Sequence, residues 1–119
     1  MTGETIRLVE EELKAAYPEA SATTDGNRRL IKLPEVHYPL GCRPATGTVL
    51  VVLDPSAPKP EVYLSEAPVL PSGSRVSIGN VTIAGQSWQT FSFNAAWEEE
   101  RHTAIQFLEG KLARFRRGS

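Results

Sequence analysis

Few residues in this chain are equipped for chemistry. It has a single cysteine, Cys42, and two histidines, His37 and His102, so it holds neither an internal disulfide nor a cysteine-based metal cluster, and two distant histidines with one thiol make no zinc ligand set. Gly41 and Arg43 flank Cys42. They would give a thiol there access and some electrostatic lowering of its pKa, as a nucleophile needs. A lone cysteine also serves as a small, partly buried apolar residue, and both readings of Cys42 stand at the level of sequence. Between Pro71 and Trp97 lie seven hydroxyls: Ser72, Ser74, Ser77, Thr82, Ser87, Thr90 and Ser92. No G-x-S-x-G elbow frames any of these serines, and no glycine-rich phosphate loop is present, so a hydrolytic serine and a nucleotide site both lack their usual frame. No cofactor is expected.

The elements that must position these groups follow from periodicity. Ile6, Val9, Leu13 and Ala16 recur at three- and four-residue spacings among Glu10, Glu11, Glu12 and Lys14. This predicts an amphipathic helix over 4–17, stopped by Pro18. Segments 20–24 and 28–33, separated by Asp25, Gly26 and Asn27, read as a first hairpin, and 34–44, rich in proline and glycine, as an irregular crossing. The continuous apolar run at the end of 48–53 suits a central strand buried on both faces, followed by a stiff loop with three prolines over 54–60 and a short strand over 61–64. A second hairpin is expected from 75–78 and 81–83 around Gly79-Asn80. A last helix is expected over 98–116, with Ala104, Ile105, Leu108, Leu112 and Phe115 as its apolar stripe, Glu98 to Glu100 in its first turn and Arg114, Arg116 and Arg117 at its end. Helix, strands, then helix, without β–α alternation, is an α+β order, and 119 residues suit a single domain.

Bulk composition excludes several function classes. A net charge of −1 lacks the basic excess that phosphate neutralisation requires, which argues against nucleic acid as a partner. No apolar stretch approaches the roughly 20 residues that cross a bilayer, and the N-terminus lacks the basic and apolar segments of a secretory signal. A cytoplasmic protein without a membrane partner is expected.

Local motifs sharpen the order into a resemblance. Leu33-Pro34 precedes Tyr38-Pro39-Leu40-Gly41; an apolar strand, Val49 to Leu53, runs into Asp54-Pro55, Pro58 and Pro60; and Trp88-Gln89-Thr90-Phe91-Ser92 is followed by Trp97 and an apolar helix. This pattern resembles prokaryotic family E of the ubiquitin-conjugating enzyme superfamily, over about residues 28 to 116. The resemblance implies a bacterial protein with a UBC-like α+β fold over 1–119: N-terminal helix, antiparallel β-meander and C-terminal helix. It also implies a role in ubiquitin-like protein modification beside an activating enzyme and a small modifier. Members of the superfamily carry a cysteine close to the segment that here precedes Trp97, and this chain has none there. Ser92 is then the candidate to carry the modifier as an oxyester, with Cys42 as a displaced alternative. A serine has a far higher pKa than a thiol and needs a base within hydrogen-bonding reach. Trp88, Gln89 and Trp97 become candidate partner-binding residues, with the two tryptophans also expected to act as core anchors. The other reading implied is a catalytically inactive, UBC-like binding or scaffold module without a covalent intermediate.

Overall fold

The computed structural model describes residues 1–73, 78–91 and 104–113. Thr2 opens helix α1 (Gly3–Ala16) by accepting the Thr5 amide on its hydroxyl at 3.1 Å, the usual service of a hydroxyl N-cap. The helix closes at Tyr17, whose amide donates to the Leu13 carbonyl at 2.8 Å immediately before Pro18. Val9 and Leu13, one turn apart, are buried against the sheet. The solvent side carries Arg7 between Glu4 and Glu11 at 2.5 and 2.7 Å, exposed pairs that contribute little to stability.

Strands β1 (Ser21–Asp25) and β2 (Arg28–His37) form the expected first hairpin, with Asp25 opposite Arg28 and Gly26 in the left-handed region at φ 61°. β2 corrects the expectation of an irregular crossing from Pro34: the strand continues to His37. A bulge between Leu33 and Val36, with Glu35 at φ 54°, absorbs the proline and restores the register, so that Val36 faces Gly47 and His37 faces Thr46 on the next strand. The irregular stretch is confined to residues 38–45. It contains a cis Arg43–Pro44 bond and is tied to the later crossing by a backbone bridge between Arg43 and Val69, at 2.8 and 2.9 Å.

β3 (Thr46–Leu53) is the central strand that its apolar run predicts. Val49 to Leu53 are each at most 3% exposed, because alternate residues fill two different cores. The loop after it turns on Asp54, whose carboxylate accepts the Ser56 amide and hydroxyl. β4 (Glu61–Leu64) completes a four-stranded antiparallel meander. The second hairpin differs from expectation. β5 (Ile78–Ile83) runs straight through Gly79-Asn80, and the turn lies at Ala84-Gly85, with φ of 49° and 78°, before β6 (Gln86–Phe91). Two consecutive positive φ angles are what a mirror-image two-residue turn demands, and Gly85 supplies one of them without a steric penalty. β6 pairs with β4 through Leu64 and Gln89, giving one antiparallel sheet in the order β1-β2-β3-β4-β6-β5. Helix α2 (Ala104–Ala113), within the expected 98–116, buries Phe107, Leu108 and Leu112. The ends of that expected helix, with Phe115 and the flanking acidic and basic runs, lie outside the described residues.

The principal core lies between α1, α2 and one sheet face, with Ile31, Leu33, Val51, Leu53 and Leu64 on the sheet side. The opposite face carries a second core of Leu30, Leu50, Val52, Ile83 and Trp88. Its cover is the β5–β6 hairpin itself. β2 and β6 are three strand spacings apart in the sheet, roughly 14 Å if it were flat. Yet the Lys32 ammonium on β2 donates to the Gln86 carbonyl oxygen on β6 at 3.3 Å. The sheet is therefore strongly coiled, in the direction that strand twist accumulates, and the hairpin closes over its own outer face.

One ion pair docks α1 on this scaffold. Glu10 receives Arg29 of β2 at 2.5 and 3.1 Å and Lys14 at 2.9 Å, and its side chain is only 16% exposed. The hydrogen bond from Arg29, with smaller help from Lys14, pulls its carboxyl down to about 2 from an ordinary 4.5. A carboxyl depressed on folding stabilises the native state fully above its unfolded value. That contribution is then lost as pH falls from about 4.5 towards about 2. Glu10→Gln is expected to remove ~1–2 kcal/mol at pH 7, less than the full shift implies because the pair is partly solvated. The variant should also flatten the acid limb of stability over that window, as measured by urea unfolding at a series of pH values.

Candidate functional site

Trp88 and Gln89 are adjacent on β6 and so point to opposite faces. Trp88 enters the outer core and is 2% exposed, which makes it an anchor of the hairpin rather than an open docking surface. Gln89 turns the other way, and its side-chain oxygen accepts the Ala67 amide at 2.5 Å. That bond fixes the crossing after β4, which the Arg43–Val69 bridge pins two residues later. Thr90 accepts the Gly79 amide on its hydroxyl at 3.2 Å. The motif that carries the resemblance therefore ties together the outer core, the proline-bearing crossing and the last hairpin. Ser92 and Trp97 lie outside the described residues, as does His102.

Cys42 sits among the principal core residues and is 4% exposed. Burial pushes its thiol upward, opposite to the lowering expected from Arg43 beside it. The surrounding loop is closely packed. Tyr38 is buried against Gly47, where a Cβ atom would lie 2.2 Å from the Tyr38 hydroxyl oxygen, so only glycine fits there. Gly41, at φ 97°, is held against Pro71, 3.0 Å from where its Cβ would stand. Burial pushes the Tyr38 hydroxyl up to about 12, with the neighbouring Cys42 and Glu66 adding to the rise. This environment disfavours any negative charge, thiolate included.

Two concavities flank these elements. One, of about 480 Å³, opens between the end of α1, the end of β2 and α2; Tyr17, His37 and Glu109 stand around it, over a floor that includes Tyr38, Leu108 and Leu112. This volume falls within the common range for small-molecule sites. Burial first, and then the charge of Glu109, raise the Tyr17 hydroxyl pKa. His37 is exposed at the rim.

The second, about 200 Å³, lies on the outer face, where the coiled sheet brings Ser21 and Thr23 of β1, Lys32 of β2 and Gln86 of β6 around the apolar walls of Leu30, Leu50 and Ile83. Lys32 belongs to no sequence motif. Its signal is a cation between Ile31 and Leu33 in an apolar strand, at the position that alternation assigns to the face of Leu30. What the sequence does not reveal is that this face is roofed by a hairpin more than fifty residues away.

Among the described residues no group of histidine, cysteine and carboxylate side chains could hold a metal ion, and no helix is long and apolar enough to cross a membrane. Compared with known proteins, the chain matches no family model, no curated protein and no solved structure.

Proposed function

We propose that this chain is a ubiquitin-conjugating-enzyme-like component of a bacterial ubiquitin-like modification pathway, acting with an activating enzyme and a small modifier. The observation that carries the reading is the order of the elements. α1 leads into the four-stranded meander β1–β4, a crossing with Pro68 and Pro71 follows, the β5–β6 hairpin joins the same sheet beyond β4, and α2 packs on the same sheet face as α1. A UBC-like fold shares the helix, meander, crossing and C-terminal helix, and the β5–β6 hairpin is an addition to that order. The Trp88-Gln89 pair supports the reading as well, because it anchors the strand immediately ahead of Ser92. In this reading Ser92 carries the modifier as an oxyester.

A second reading, a UBC-like module that binds partners without a covalent intermediate, is favoured by one observation: the only thiol in the chain is buried and its pKa is raised. The two readings separate in one experiment. The purified chain is incubated with the activating enzyme, the modifier and ATP, and intact masses are recorded with and without hydroxylamine. A hydroxylamine-labile adduct that persists in Cys42→Ala and disappears in Ser92→Ala establishes the carrier. No adduct with active partners, together with retained binding of the modifier, establishes the binding module. Absence of both adduct and binding overturns the pathway assignment.

A further inference from the structure

The outer-face cavity sets one ammonium, two hydroxyls and an amide against apolar walls. Among the described residues Arg7, Lys14, Arg28 and Arg29 each meet a carboxylate within 4.0 Å. Lys32 is in no such pair among the described residues: its ammonium is held by the neutral Gln86 amide oxygen at 3.3 Å and lies over the Trp88 ring, 5.9 Å from its centroid. Both contacts fix the ammonium at the edge of the cavity, and neither neutralises it. An ammonium has three donors, and the amide uses one. The remaining polar lining, Ser21 and Thr23, adds hydroxyl donors, and among the described residues no aspartate or glutamate lines the space. Leu30, Leu50 and Ile83 supply apolar walls.

We propose that this cavity, between β1, β2 and the β5–β6 hairpin, is a binding site for a monocarboxylate with a compact apolar body. The carboxylate sits on Lys32 with the Ser21 and Thr23 hydroxyls beside it, and the body fills the space against Leu30, Leu50 and Ile83. A single cation matches a single negative charge, whereas a dianionic phosphate would remain half compensated in a site walled by aliphatic side chains. At about 200 Å³ the cavity falls below the size common for drug-like ligands, which selects a small organic acid. The site lies on the sheet face opposite the two helices and does not depend on the conjugation reading.

Titration of the isotope-labelled protein with benzoate, followed by amide and indole NMR shifts, tests this directly. Saturable shifts are expected at Ser21, Thr23, Lys32, Gln86 and the Trp88 indole. Benzamide, equal in shape but uncharged, should bind about tenfold to a hundredfold more weakly, the scale of losing a charged hydrogen-bond partner. Lys32→Met should weaken benzoate binding by a similar factor while keeping the spectral dispersion of a folded protein, and Lys32→Arg should retain it. Equal binding of benzoate and benzamide on the unaltered protein overturns the proposal without relying on any variant. So does the absence of saturable shifts. A short peptide ending in leucine, compared with its C-terminal amide, identifies the source: tighter binding of the free-acid peptide than of benzoate assigns the carboxylate to a polypeptide terminus, and the reverse order to a small acid.

Discussion

Trp88→Ala is expected to destabilise the protein by about 3–5 kcal/mol, the range for emptying a large aromatic site in a packed core. Trp88 is 2% exposed and is the largest fully buried side chain among the described residues. It occupies the centre of the outer core, where Leu30, Leu50 and Val52 rely on it and on Ile83 to exclude water. Small domains are stable by only about 5–15 kcal/mol in total, so this one truncation consumes a large share. The backbone ladder offers little compensation, because among the described residues β6 is joined to the meander by the single register pair Leu64–Gln89 and otherwise pairs with β5. Equilibrium urea unfolding should show a midpoint shift of that size. Trp88→Phe, which retains an aromatic ring, should lose clearly less. A Trp88→Ala protein with an unchanged midpoint would mean that the hairpin is not seated on the sheet in solution, and the carboxylate cavity would fall with it.

The same residue shows what a sequence can and cannot reveal about this fold. Elements governed by local rules were legible. α1 follows from the spacing of Val9 and Leu13 and from Pro18; the first hairpin follows from Asp25-Gly26-Asn27; and β3 follows from an apolar run whose every member proves buried. The errors arose where a local signal competed with pairing. Gly79-Asn80 has turn chemistry, but six residues of β6 lie opposite β5 in continuous register, and the ladder carries the chain through to Ala84-Gly85. Pro34 signals a break, but a bulge restores the ladder and recovers Val36 for the core. At the candidate site, the importance of Trp88 was legible from its size and motif, while the role of Gln89 as a strut for the Ala67 amide was not. Neither was Lys32. Both depend on the coiling of the sheet and on contacts between segments distant in the chain.

The burial of Cys42 predicts a large difference in reactivity. A thiol-specific alkylating reagent at neutral to mildly basic pH should modify Cys42 in the folded protein on the order of a hundredfold more slowly than in urea, because the reagent must await an opening of the loop that costs several kcal/mol. Two effects act in the same direction. The side chain is 4% exposed, and burial raises its pKa, so the folded state holds less thiolate and hides what it holds. Opening is resisted by neighbours that cannot yield independently: Gly41 lies against Pro71, Tyr38 against Gly47, and Arg43 is bridged to Val69 on both backbone hydrogen bonds. Weakening that clamp should raise the rate in a graded way, with Gly47→Ala, which displaces the Tyr38 ring, faster than the unaltered protein and slower than the unfolded chain. Alkylation of the folded protein at the unfolded rate would show a loop that opens freely, and it would make Cys42 available as the carrier in the proposed conjugation role. Within the proposed conjugation role, protection leaves a serine oxyester or no covalent intermediate at all. Because every sulfur nucleophile in the chain is this one residue, a single labelling rate decides whether thioester chemistry is open to the folded protein.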